Sequence, residues 1–252
     1  MQTFDSNGVR IAYMDEGERE GEPILLIHGF ASNAATNWVD PLWVRTLTQD
    51  GRRVIAIDNR GHGQSEKLYE PERYGAPEMA RDSVRLLDHL GIDKVDVLGY
   101  SMGARIAAFL TFADPERVRS VIFGGLGIHM VRGMVGAGPL AAALEAPKLE
   151  DVTNQTARSF RIFAEQTKSD LKALSACMRG PREKVPASRL GQIGVPVLVA
   201  VGSKDVIGGS GLALAELIPN AQFLEITGRD HMKAVGDAQF KQGVLSFLAS
   251  RP

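Results

Sequence analysis

Lys94–Ala107 reads KVDVLGYSMGARIA. Val95, Val97 and Leu98 make a short apolar run, as a strand buried on both faces does. Gly99-Tyr100-Ser101-Met102-Gly103 follows, and Ala104, Ile106, Ala107, Ala108, Phe109 and Leu110 then read as a helix. A serine between two glycines at a strand-to-helix junction reads as a nucleophile elbow, the alternative being a solvent-facing serine in a glycine-rich turn. Such a turn strains the backbone by roughly 1–3 kcal/mol, which the packed strand and helix must hold. A side chain at position 99 or 103 would crowd it. In return, the hydroxyl projects above the strand end, beside the positive end of a helix dipole and the Met102 N–H.

Outward from this stretch, apolar strands alternate with helices. Thr3–Phe4 and Val9–Tyr13, joined at Asn7-Gly8, read as a hairpin. Pro23–His28 (PILLIH) and Arg53–Ile57 (RVIAI) are buried strands, with a helix expected over Trp38–Thr48 between them. Pro77–Leu90 has the spacing of an amphipathic helix, stopped by Gly91. Val118–Phe123, Pro196–Val201 and Gln222–Ile226 are further strands; helices are expected near Leu212–Ile218 and over Phe240–Leu248. The alternation implies a parallel sheet covered on both faces, with reactive groups at the carboxyl ends of its strands. Between His129 and Leu190 the rhythm breaks into helix-like stretches near Leu140–Ala146, Val152–Gln166 and Ser169–Arg179. Residues 129–190 are therefore read as a helical lid inserted in a core of residues 1–128 and 191–252. Met130, Met134 and Met178 could line an adaptable apolar pocket there or pack the lid on the core.

A serine hydroxyl needs a general base, and the base an orienting carboxylate. Of five histidines, His28 and His62 sit in bracing positions beside turns, His89 lies within a helix, and His129 opens the lid. His231 alone follows the last strand in a short loop, so it is the candidate base. Asp205, after the strand ending at Val201, is the candidate acid, though Asp also suits a cap or turn there. Asp230 is the weaker candidate, because neighbouring side chains diverge. The order Ser101, Asp205, His231 is the one expected for this architecture. Met102 N–H and Phe30 N–H are the expected oxyanion donors, Gly29 letting the backbone come close. Arg105 lies one turn after Ser101. It is expected in a salt bridge beneath the elbow, since a buried charge needs a partner; the alternative is contact with an anionic substrate.

Taken together, His28-Gly29-Phe30, Asp58–Ser65 (DNRGHGQS), Gly99–Gly103, Gly202-Ser203-Lys204-Asp205 and Asp230-His231 resemble the α/β-hydrolase superfamily over nearly the whole chain except the lid. The resemblance implies a mostly parallel eight-stranded sheet, a Ser101–Asp205–His231 triad and an oxyanion hole shaped by Phe30 and Met102. It gives Asp58–Ser65 a structural role. Hydrolysis of a carboxylic ester through an acyl-enzyme is the leading expectation. C–C bond hydrolysis or perhydrolysis by the same triad, and a ligand receptor on the same fold, are the alternatives. Dehalogenases and epoxide hydrolases use an aspartate at the elbow, and Ser101 argues against both. Two departures stand out: Ala104 replaces a common second glycine, and the loop at His28 lacks the longer glycine run of lipases.

Composition narrows the field. The 252 residues carry a net charge of −1 and no basic stripe, so nucleic acid is not expected as a partner. Gly136–Ala141 matches G-x-G-x-x-A but follows no strand, which rejects dinucleotide binding. No His, Cys and carboxylate cluster has metal-ligand spacing, so neither cofactor nor metal is expected. The single cysteine, Cys177, excludes an internal disulfide. With no apolar run near the ~20 residues of a bilayer span and no leader-like start, a cytoplasmic monomer or homodimer acting on a small molecule is expected.

Overall fold

The computed structural model describes residues 1–133 and 136–251; Met134, named above as a pocket candidate, lies outside them. Eight strands run in chain order: β1 Gln2–Asp5, β2 Arg10–Glu16, β3 Pro23–Ile27, β4 Arg53–Ile57, β5 Val95–Tyr100, β6 Val118–Gly124, β7 Val197–Gly202 and β8 Gln222–Ile226. Eleven α-helices join them: α1 Trp43–Gln49, α2 Ala76–Leu90, α3 Met102–Ala113, α4 His129–Arg132, α5 Ala137–Glu145, α6 Gln155–Gln166, α7 Leu171–Arg179, α8 Ala187–Leu190, α9 Gly211–Ala215, α10 His231–Ala234 and α11 Ala238–Ser250.

The strands form one sheet in the order β1-β2-β4-β3-β5-β6-β7-β8. β2 pairs antiparallel with β1 and β4, and the other neighbours pair parallel. The apolar runs become the central strands because helices cover both faces. On one face Trp38, Trp43 and Leu47 meet Phe240, Val244 and Phe247 of α11. On the other, α2 and α3 cover Leu25, Val97 and Val121. Burying each such side chain contributes roughly 1.5–3 kcal/mol before the entropy of ordering it.

Two features depart from the sequence reading or add to it. The helix expected over Trp38–Thr48 is broken: Ala35–Val39 is a π-helical turn, and α1 starts only at Trp43. Pro41 has no N–H to continue the first turn, and Leu42 takes a left-handed φ of 67°. At the amino end of β5, opposite Ser101, the fully buried Asp96 is held by Ser120 Oγ at 2.7 Å and Arg251 Nη2 at 2.7 Å. Arg119 Nη1 at 3.1 Å and Arg52 Nη1 at 3.4 Å complete its shell. This cluster ties the end of α11 to the middle of the sheet.

Between β6 and β7 the chain forms α4 to α8. α5 packs against α6 and α7. Leu140, Leu144, Phe160 and Leu174 from these helices are continuous with the apolar cluster of α2 and α3.

Candidate active site

Ser101 caps β5 at the start of α3 with φ 55° and ψ −111°, the strained elbow geometry. The flanking glycines are steric necessities. A Cβ on Gly99 would lie 2.2 Å from the Gly103 carbonyl oxygen, and one on Gly103 would lie 1.9 Å from that of Ile27. Ser101 N–H donates to Gly124 O at 2.8 Å, which pins the elbow to β6.

The structure brings Ser101, His231 and Asp205 together. His231 Nε2 is 2.9 Å from Ser101 Oγ, and His231 Nδ1 is 2.8 Å from Asp205 Oδ2. With Asp205 ionised, Nδ1 carries the proton and Nε2 is free to accept one from the serine. Both His231 and Asp205 are buried, so solvent does not compete for these bonds. Asp205 also does what a turn aspartate does: its Oδ1 accepts from the N–H groups of Ile207 at 2.9 Å and Gly208 at 2.8 Å. That fixes the carboxylate plane and turns Oδ2 towards the imidazole. Asp230 is directed elsewhere, its carboxylate capping α10 through Met232 and Lys233 N–H. His231 is thus the first residue of a short helix rather than part of a loop.

Phe30 and Met102 flank the same hydroxyl; both line the small cavity beside Ser101. Among the described residues, no acceptor takes either backbone N–H. The Phe30 loop is braced from below. His28 Nδ1–H donates to Gly29 O at 2.7 Å, and His28 Nε2 accepts from Asn59 N–H at 3.0 Å. Gly29 N–H in turn donates to Asn37 Oδ1 at 3.1 Å. His62 stacks nearby, 5.2 Å from the His28 ring, with its Nδ1 2.9 Å from Arg60 O. Burial drives both imidazoles towards the neutral form, His28 down to about 4 and His62 to about 3. They are structural braces, as their positions suggested. The Asp58–Ser65 segment supports them: Asp58 accepts from Ala34 and Gln64 N–H, both at 2.7 Å.

Sequence reasoning missed three residues. Asn37 gave no signal because its role depends on the π-helical turn; its Nδ2 is buried without a partner and faces the cleft. Tyr100 looked like one more strand residue, yet its hydroxyl donates to His231 O at 2.5 Å and holds the start of α10. Arg182 lies in a loop without periodicity.

Arg105 overturns an expectation. Among the described residues it makes no salt bridge; instead it donates to the carbonyls of Met130 at 2.8 Å, His129 at 2.9 Å and Glu183 at 3.3 Å. Backbone dipoles of the helical segment replace the carboxylate that the sequence reading placed there. Burial, with the Arg182 charge nearby, lowers its pKa to about 10.

The cleft divides at Ser101. One chamber, about 190 Å³, has His231, Asn37, Phe160, Phe163, Met232 and Val235 in its walls. The other, about 70 Å³, runs between Met102, Arg105, Leu126, His129 and Arg182. Among the described residues, no group of three His, Cys or carboxylate side chains could hold a metal ion. No helix there is long and apolar enough to cross a membrane.

A family model described as the alpha/beta hydrolase fold matches residues 22–182. This chain belongs to the α/β-hydrolase family. Within the family it is 31% identical over 265 residues to the dihydrolipoyllysine-residue acetyltransferase component of the acetoin cleaving system of Pseudomonas putida. That match covers 98% of this chain and 69% of that protein. Epoxide hydrolase 2 of Siraitia grosvenorii is 33% identical over 130 residues, covering 52% of this chain and 39% of its own length. A relative from Bacillus subtilis (strain 168) is likewise covered over only 41% of its length, so this chain spans less than half of both proteins. Among solved structures, Est816, described as an N-acyl homoserine lactone degrading enzyme, superposes with a TM-score of 0.76 at 25% identity. It covers 98% of this chain and 100% of its own.

Proposed function

We propose that this α/β-hydrolase is a serine carboxylesterase acting on small or medium-sized esters through Ser101, His231 and Asp205. The observation that carries the reading is the unbroken hydrogen-bond relay from Ser101 Oγ through the imidazole to Asp205. His231 Nε2 takes the hydroxyl proton as Oγ attacks the acyl carbon. The carbonyl oxygen, now an oxyanion, accepts from Phe30 and Met102 N–H. Collapse expels the alcohol, which leaves with the proton from His231. Water then repeats the cycle on the acyl-enzyme and releases the acid. Every proton is carried by a side chain of this chain, so the reaction needs no cofactor.

The relatives narrow the chemistry without fixing it. The epoxide hydrolase likeness does not extend to the nucleophile, because the elbow holds Ser101 where that chemistry uses an aspartate. The lactone-degrading activity of Est816 is compatible, since a lactone is a cyclic ester. Residues 129–190 act as the lid over a core of residues 1–128 and 191–252, with Phe160 and Phe163 over the cleft. The enzyme acts in the cytoplasm on a small molecule, as a monomer or homodimer.

The test is Ser101→Ala. Turnover of short p-nitrophenyl esters should fall by up to ~10⁶, and labelling by a fluorophosphonate should vanish. Ester turnover that survives the substitution in a clean preparation refutes the assignment. Labelling of the wild type without turnover of any ester redirects the triad to C–C bond or peracid chemistry.

A further inference from the structure

The smaller chamber carries a charge that the ester reaction does not use. Arg105 is half-buried and spends three of its five N–H groups on the Met130, His129 and Glu183 carbonyls. Its Nε–H and one of its Nη2–H groups have no acceptor among the described residues. Arg182 sits at the mouth. Its Nε donates to Met178 O at 3.1 Å, and its Nη2 reaches Met178 Sδ at 2.9 Å and Cys177 O at 3.4 Å. Its Nη1 is unspent. Neither guanidinium has a carboxylate within ion-pair distance among the described residues, and both line the same small chamber. Glu183, on the outer wall beside Lys184, turns its carboxylate towards Gly75 instead. Two cations converging on one chamber repel unless an anion joins them, and the N–H donors left on both arginines suit a carboxylate.

The position of the chamber decides which part of the substrate carries that anion. His231 must reach the leaving oxygen, and it lines the larger, apolar chamber. The smaller chamber holds Ser101 and Met102 but not His231, so it receives the acyl part. Arg105 follows Ser101 by one helical turn, a rise of roughly 6 Å. Resting on the esterase reading above, we infer that the preferred substrates are monoesters of short dicarboxylic acids, their free carboxylate bound between Arg105 and Arg182. Water and the monoester then give the free dicarboxylate and the alcohol, and the alcohol departs through the apolar chamber.

Monobenzyl glutarate and benzyl valerate have acyl chains of equal length, and only the first is charged. The wild type should hydrolyse the first with kcat/KM about tenfold or more above the second. Arg182→Met should bring the ratio close to one, mainly through KM, and Arg182→Lys should restore part of it. The ratio should also fall as salt rises, since the mouth is open to solvent. A wild-type ratio of one or below, or a ratio that Arg182→Met leaves unchanged, overturns the carboxylate site. If benzyl valerate turns over and the ratio is flat, the esterase reading stands and only this inference fails. If neither ester turns over and Ser101 resists fluorophosphonate, the esterase reading fails. Calorimetric binding of monobenzyl glutarate then decides the chamber alone: about tenfold tighter binding to wild type than to Arg182→Met supports it, and equal binding rejects it.

Discussion

The two walls of the cleft are built on different principles. On the strand-end wall, each functional atom is fixed by backbone: Ser101 by a strained turn, Asp205 by two amides, and the Phe30 loop by His28 and Asn37. On the facing wall, α6 and the loop after α7 contribute Phe160, Phe163 and Arg182. A misplacement of about 1 Å can cost a hundredfold in rate at the reacting atoms, whereas an apolar surface tolerates exchange of shape. The difference separates what performs bond cleavage from what chooses the bond.

Three substitutions or conditions would break or sharpen that division, beyond the loss expected for Ser101→Ala. Asp205→Asn has the largest expected effect. An amide can present N–H to the imidazole and favour the wrong tautomer, so kcat should fall about 10⁴-fold with little change in KM. A drop below tenfold would show that the strand-end wall does not depend on this carboxylate.

Acidification comes next, and acts on the same wall from below. His28 and His62 stay neutral in the fold down to about 4 and about 3, while the unfolded chain protonates near the ordinary 6.5. Folded values below unfolded ones mean stability is complete above pH 6.5 and is lost as pH falls towards the folded values. Each histidine should cost about 1.4 kcal/mol per pH unit in that window. Urea midpoints at pH 7 and pH 5 should therefore differ more for wild type than for His62→Gln, which removes one of the two protons. Equal slopes would mean that His62 is not held neutral.

Phe163→Ala, on the facing wall, has the smallest expected effect. It enlarges the leaving-group chamber, so KM for benzyl esters should rise about threefold to tenfold while methyl esters change little and kcat stays near wild type. An equal loss of kcat on all esters would show that this wall also positions the reacting atoms.

How much of this was legible in the sequence follows from how local each demand is. Gly99 is required by its own turn and Gly103 by the passing end of β3, but both fall within one five-residue motif, so the elbow announces itself. The central strands of the sheet are buried on both faces and read as continuous apolar runs, as Arg53–Ile57 does; Gln222–Ile226, mostly exposed at the sheet edge, also falls where it was expected. The Trp38 helix was misjudged because the apolar spacing runs on across Pro41, where the chain kinks. His231 and Asp205 are read from their place after strands, and Asp230 ranks below Asp205 because neighbouring side chains diverge; the structure turns the Asp230 carboxylate to the amides of α10. Arg105 escaped because its partners are carbonyls more than twenty residues away, and a carbonyl has no letter in the sequence.

The arginine clasp around Asp96 bears on practical handling. Arg251 closes that clasp from the position that ends α11, just past Ser250. A tag or support attached just behind it pulls on a guanidinium that neutralises a carboxylate sealed inside the sheet. Removing one member of such a pair costs several kcal/mol. A handle placed at the exposed hairpin turn of Asn7 and Gly8, whose hydrogen bond runs back to Asp5, leaves the strut untouched.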